Sequence, residues 1–215
     1  MIEMKIGIIC DDYWHPGKLI KEGLEPLGKQ GFQLDYTQHA SEWSRGWMDQ
    51  QDVVVLAKSN QVSSTDTTPW LTEEIQLQFQ SYVEQGKGLL VLHAGTVGYR
   101  DESVFFELVG GVFQHHPAAC SVTIVHKDET PWDKAHAQDF TVHDEHYFME
   151  VIDERIQVLM TSESEHGTQP AGWIREQGEG RVCVLTPGHL LSVLQMEEYQ
   201  ATIKQALRWC GGSDQ

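Results

Sequence analysis

Three histidines stand just past apolar runs, where α/β proteins do their chemistry. His15 follows "MKIGIIC" in "DDYWHP", His93 follows "GLLVL" in "HAGT", and His189 follows "RVCVL" in "TPGH". In open α/β sheets, ligands bind beyond the carboxyl ends of the strands. The three rings are therefore expected on one rim despite their separation in sequence. A fourth segment, "FTVHDEHYF" (140–148), sets His143, Asp144, Glu145 and His146 among apolar residues. Imidazole with carboxylate is the usual ligand set of zinc and similar divalent ions, which makes His15, His93 and His189 candidate metal ligands. The same groups move protons, which makes His93, Glu145 and His189 candidate acids and bases. Spacing does not choose between the two, since there is no H-E-x-x-H and the H-x-x-H at 143–146 is common by chance.

His93 is singled out because its strand predicts its location. A residue at the turn after a buried strand has its side chain pushed up into the ligand crevice. With eleven histidines in the chain, most rings are expected to be hydrogen-bonded or solvent-facing, and His115, His126, His136 and His166 are read so. His116, before Pro117 in "QHHP", is a candidate substrate contact, as are Trp14 and Tyr147.

Positioning these groups takes an α/β framework. "MKIGIIC" (4–10), "FQLDYT" (32–37), "DVVVLAK" (52–58) and "GLLVL" (88–92) read as strands. "PGKLIKEGLEPLGKQG" places Leu19, Ile20, Leu24 and Leu27 at helical spacing, with Pro26 kinking or ending the helix. Thr72 is a candidate N-cap with Glu73 and Glu74 in the first turn. Ile75, Phe79, Tyr82 and Val83 form that helix's apolar stripe, and Gly86 and Gly88 are expected to end it. After Gly111 the texture changes: "CSVTIVHK", "IQVLMTSES", "AGWIREQ" and "RVCVLTP" read as strands, and "GEG" at 178–180 joins the last two as a hairpin. "EEYQATIKQALRWC" is a closing helix. The expectation is one α/β domain over 1–215, with a mainly parallel sheet, helices on both faces and some antiparallel strands late in the chain.

Composition narrows the partners. Thirty-two acidic against 15 basic residues give a formal charge of −17, which repels phosphate backbones and anionic lipid. Nucleic acid and membrane are poor partners, and a neutral small molecule or a cation is favoured. No apolar run is long enough to span a bilayer, and "MIEMKIGIICDDYW" lacks the features of a signal peptide, so a cytoplasmic protein is expected. Cys10, Cys120, Cys183 and Cys210 form no C-x-x-C pair and read as small hydrophobes, with Cys183 pointing from a strand into packing.

Taken in order, "GKGLLVLHAGT…FFELVGGVFQHHP", "FTVHDEHYFMEV" and "HGTQPAGWIREQGEGRVCVLTPGH" resemble the ThuA-like (trehalose utilisation) family. The likeness runs from the "DDYWHP" loop to the final "ALRW". It implies a flavodoxin-like, class I glutamine amidotransferase-like three-layer sandwich. Amidotransferases of that architecture carry a catalytic cysteine at the turn where this chain has His93, and a histidine in a late loop that "TPGH" matches with His189. An imidazole cannot form the covalent thioester of a glutaminase, so the fold carries over and that activity does not. The resemblance further implies sugar metabolism, with trehalose, a related disaccharide or a 3-keto sugar as substrate and a functional link to a sugar dehydrogenase. Two functions fit: an enzyme doing metal-assisted or general acid–base isomerisation, elimination or hydrolysis, and a non-catalytic sugar-binding or regulatory module. Trp14, Trp70 and Trp173 near the rim would serve either, because aromatic faces stack on sugars. A homo-oligomer is compatible with this reading.

Overall fold

Strands buried on both faces read as unbroken apolar runs, and β1 (Met4–Cys10), β3 (Val53–Ala57) and β4 (Gly88–Leu92) are built this way, the last two buried throughout. The structure, a computed structural model, describes residues 3–133, 138–151 and 155–212. Its main sheet has nine strands in the order β2-β1-β3-β4-β11-β10-β9-β6-β7. β2 (Phe32–Thr37), β1, β3, β4 and β11 (Gly180–Leu185) are parallel. β10 (Gly167–Gln177), β9 (Gln157–Ser164), β6 (Cys120–His126) and β7 (Phe140–Asp144) extend the sheet in antiparallel pairs. A separate ribbon pairs β5 (Gly111–His115) with β8 (Phe148–Val151).

Strand alternation sends side chains to two cores. Ile6, Ile8, Leu90, Leu92, Cys183 and Leu185 face one, covered by α1 (Gly17–Gly28), α5 (Leu191–Leu194) and α6 (Glu197–Cys210). Ile9, Val54, Leu56, Leu89, Val91 and Val184 face the other. That second core is covered by α2 (Arg45–Met48), α3 (Glu73–Glu84), α4 (Ser103–Val109) and the β5–β8 ribbon. The result is the expected three-layer sandwich, with β4 an interior strand of the sheet, between β3 and β11, and His93 at its carboxyl end.

Local signals act much as expected. Pro26 sits in the last turn of α1, which stops at Gly28. Thr72 caps α3, its hydroxyl accepting the Ile75 N–H at 3.4 Å. Gly178 and Glu179 form the turn of the β10–β11 hairpin. Gly88 does not terminate α3, which ends at Glu84; it begins β4 instead. α4, β5, β7 and β8 carry no sequence signal strong enough to assign them in advance. Trp70 and Trp173 are not rim residues: both are buried in the second core, the Trp173 indole donating to the Val109 carbonyl at 2.8 Å. Trp173 lies mid-strand in β10, so its large ring fills core volume. Among the described residues, no helix is long and apolar enough to cross a membrane.

Candidate functional site

Four chain turns meet beyond the carboxyl ends of β1, β4, β7 and β11. After β1, Asp11 adopts a left-handed backbone with φ 77°, a conformation aspartate tolerates better than most residues. Its carboxylate accepts the N–H groups of Gly17 at 2.8 Å and Ser64 at 3.2 Å. Asp12, fully buried, then accepts the N–H groups of Trp14, His15 and Ser59 at 2.8–2.9 Å. The turn that results points His15 inward.

After β4, His93 itself is left-handed, with φ 43°, a strained conformation of the kind that clusters at functional sites. The 3-10 turn that it opens (His93–Thr96) lies tight against β3: a Cβ on Gly95 would stand 2.1 Å from the Leu56 carbonyl oxygen. His93 is 1% exposed, so the rim position is roofed over. After β11, the Gly188 N–H donates to Asp144 Oδ2 at 2.8 Å, which ties the His189 turn to the end of β7 and to Glu145.

These turns bring His15, His93, His189 and Glu145 together. One ligand-capable atom from each lies within 4.8 Å of every other. The three imidazoles pack edge to face, with centroids 5.0 Å (His15–His93), 5.2 Å (His15–His189) and 5.6 Å (His93–His189) apart. Glu145 Oε2 is 3.2 Å from His189 Nδ1 and 3.7 Å from His93 Nε2. The His189 contact is close but lacks hydrogen-bond alignment, so its buried Nδ1 remains unsatisfied.

Hydrogen bonds assign the protons. His15 Nδ1 lies 2.9 Å and 3.1 Å from the two Asp12 oxygens, so Nδ1 carries the hydrogen and Nε2 the lone pair. His93 Nδ1 donates to the Thr186 carbonyl at 2.7 Å, which leaves Nε2 as an acceptor too. Metal-binding histidines are held in this way, the far nitrogen donating to a carboxylate or carbonyl. His15 Nε2 is buried with no hydrogen-bond partner, and His93 Nε2 accepts from the Tyr147 hydroxyl at 2.9 Å.

Electrostatics favour the neutral form of His93 and His189. Burial pushes His93 well below its ordinary value, and the adjacent His15 and His189 rings add to this. His189 is lowered as well, chiefly by burial, with Glu145 opposing. Burial alone would raise Asp12, but its bonds from His15, Ser59 and Trp14 hold it below the usual carboxylate range. Asp144, buried with Oδ1 unpartnered, is pushed up to about 6 by burial. Tyr147 is raised well above 10 by burial and the nearby Glu145 carboxylate, so the phenol stays protonated.

Comparison with known proteins then places the chain. The family model described as ThuA, trehalose utilisation, matches residues 12–210. The chain belongs to the ThuA family. Among solved structures, a ThuA-like protein from Bacteroides uniformis superposes with a TM-score of 0.74 at 18% identity, covering 96% of this chain and 91% of that one. A ThuA-like protein from Parabacteroides merdae gives 0.72 at 17% identity, over 97% and 90%. The β-galactosidase of Rahnella sp. R3 gives 0.66 at 12% identity, covering 94% of this chain but 31% of that one. At these identities the likeness is one of fold. No curated protein matches.

In this ThuA fold the four candidate groups His15, His93, Glu145 and His189 do converge. His116 lies at the edge, its Nε2 3.5 Å from Glu145 Oε1 and its Nδ1 bonded to the Pro117 carbonyl. Trp14 is 65% exposed and packs edge-on against Tyr13, itself 56% exposed, in the loop that carries His15. Tyr147 offers no open face to a substrate: its ring packs at 4.2 Å on His93 and 4.4 Å from Phe113, so it reaches the site through its hydroxyl. His143 is exposed, and His146 turns away to bond Ser164 Oγ at 2.7 Å. Of the histidines expected to be ordinary, His115 stacks on Phe148, His126 contacts Asp139 and Thr202, and His166 is exposed beside Glu165. His136 lies outside the described residues. Sequence reasoning missed Asp12 and the Thr186 carbonyl, which fix the tautomers; the spacing D-x-x-H in "DDYWHP", with its turn chemistry, was the available signal for the first.

Proposed function

We propose that this ThuA-family protein is an enzyme acting on a neutral sugar or keto-sugar, trehalose or a related disaccharide, at a divalent metal held within the cluster where His15, His93, Glu145 and His189 converge. The observation that carries the reading is the buried Nε2 of His15, which has no hydrogen-bond donor to satisfy it. Around it lie the unpartnered Nδ1 of His189 and the Glu145 carboxylate. Buried acceptors without donors are costly, and a cation such as zinc satisfies several at once. Such an ion would polarise a carbonyl or hydroxyl oxygen of the substrate, and His93, Glu145 and His189 lie where protons of the bound substrate could be moved.

The family's link to trehalose utilisation and the acidic chain both favour an uncharged sugar. A cytoplasmic setting and a sugar dehydrogenase that supplies the keto-sugar fit the same reading. The exposed Tyr13–Trp14 pair favours a second function, sugar binding without turnover. One experiment separates the two. Protein purified without added metal is assayed for bound ions by elemental analysis, then incubated with trehalose, other disaccharides and their 3-keto derivatives. Near-stoichiometric metal and turnover that stops with a chelator support the enzyme. Sugar binding with no metal and no product would sink it in favour of the binding module.

A further inference from the structure

The four converging groups are not equivalent. Two of the three imidazoles have a buried nitrogen with no hydrogen-bond partner, Nε2 of His15 and Nδ1 of His189. The third does not. His93 Nε2 already accepts the Tyr147 hydroxyl at 2.9 Å, and the direction of that bond is fixed, because Nδ1 must donate to the Thr186 carbonyl. Were the tautomer reversed, a lone pair would face the carbonyl oxygen at 2.7 Å. Tyr147 cannot swing away easily: it is 2% exposed, and its ring is held by His93 and Phe113. Glu145 leans toward the same side as the unsatisfied atoms, with Oε2 nearer His189 than His93.

We infer that the metal is held by three groups, His15, His189 and Glu145, while Tyr147 keeps the His93 nitrogen off the ion. The inference rests on the metal reading above and divides the labour within it. Two imidazoles and one carboxylate suit a borderline divalent ion and leave adjacent positions open. Two neighbouring oxygens fill such positions, so the substrate class is a sugar presenting a vicinal diol or hydroxy-ketone. The Tyr147 hydroxyl, whose proton goes to His93 Nε2, keeps its oxygen lone pairs to accept from a substrate hydroxyl, and His93 acts through it rather than on the metal. Asp12 and the Thr186 carbonyl become positioning groups of two different kinds, the first for a ligand and the second for a hydrogen-bonding ring.

The test is a titration of metal-free protein with Co(II) and Zn(II), reading affinity, stoichiometry and the Co(II) absorption bands. His15→Ala and His189→Ala should each weaken binding by more than about 100-fold, beyond the loss typical of a supporting residue. His93→Gln, which keeps a polar side chain in the buried space, should stay within about threefold of wild type, less than even an outer partner's loss costs. Tyr147→Phe removes one hydroxyl and frees the His93 lone pair; binding should hold or tighten, with a change in the Co(II) spectrum as a nitrogen joins. If His93→Gln weakens binding as severely as His15→Ala, His93 is a ligand and the division is wrong, although the metal reading survives. If Tyr147→Phe costs more than about tenfold, the hydroxyl itself serves the ion, and the division is again wrong. A wild-type protein that binds neither ion overturns the inference and the metal reading together.

Discussion

Asp12 and His15 are joined through both carboxylate oxygens, at 2.9 Å and 3.1 Å from Nδ1, and one of those oxygens also accepts the Ser59 N–H at 2.8 Å. The carboxylate thus locks the imidazole and ties the turn after β1 to the turn after β3. Asp12→Ala should release both. Loss of an outer carboxylate lowers metal affinity by about 10–100-fold, and the buried N–H groups left unpaired cost about 1–3 kcal/mol each at most. Calorimetric zinc titration checks the first and urea unfolding the second. Unchanged zinc affinity would show that His15 needs no such support.

Gly95 is where β4 meets the site most tightly. Its Cβ would lie 2.1 Å from the Leu56 carbonyl oxygen and 2.9 Å from Val91 Cγ1, neither of which is the free end of a flexible side chain. Gly95→Ala should therefore destabilise the fold by about 3 kcal/mol, the upper range of overpacking. Because the strain falls two residues from His93, it should also displace that ring. A variant as stable as wild type in urea would show that the turn yields more readily than these contacts imply.

Acid should unfold the metal-free protein. His93, His126, His146 and His189 are all held below their ordinary value of 6.5, chiefly by burial. In the window below 6.5 the unfolded chain takes up protons that the folded chain refuses, so stability falls as pH falls. Asp144 acts in the opposite sense, its folded value of about 6 against an ordinary 3.8 meaning that stability is lost as pH rises through that range. Four rings against one carboxyl leave a net loss on acidification. His126, far from the cluster, isolates one contribution: His126→Asn should flatten the stability–pH slope between pH 7 and 5.5 by up to about 1.4 kcal/mol per pH unit. An unchanged slope would remove His126 from the account.

Glutaminase activity should be absent. Position 93 holds an imidazole, and two buried strand thiols are disabled: Cys183 is fully buried, beside Cys210 and raised well above 9 by burial, and Cys10 is pushed up to about 12. Native alkylation followed by mass spectrometry should mark Cys120, which is half-buried, far faster than the other three. Glutamate release from glutamine that is abolished by Cys183→Ser would contradict this directly.

The frame of the site was legible because buried parallel strands leave the plainest mark in sequence. Runs such as "VVVLA" and "GLLVL" fixed where β3 and β4 end, and the strand ends placed His15, His93 and His189 together. β7 was harder to read: it alternates inward Phe140, Val142 and Asp144 with outward Thr141 and His143, so a buried aspartate stands where an apolar residue would have announced the period. α4 spans only seven residues, too few for a helical stripe to stand out. Trp70 and Trp173 were misplaced because an indole serves a core as readily as a sugar platform, and type alone does not distinguish them. The pairing of His93 with Tyr147 has no local signature, and it emerges only when the turn after β4 and the β7–β8 connection lie side by side.

His15, near the first strand, and His189, after the eleventh, meet in one cluster although nearly the whole chain separates them. Contacts this distant in sequence form late and slowly, after long loops have closed. A chain emerging from the ribosome would thus not complete this cluster until β11 had joined β4. Once assembled, the cluster would clasp both ends of the topology, and an ion at a hundred times its dissociation constant would add about 2.7 kcal/mol to the native state by mass action. Thermal melting should then shift with the trace metal in the buffer, and a chelator should lower the midpoint before any substrate is known.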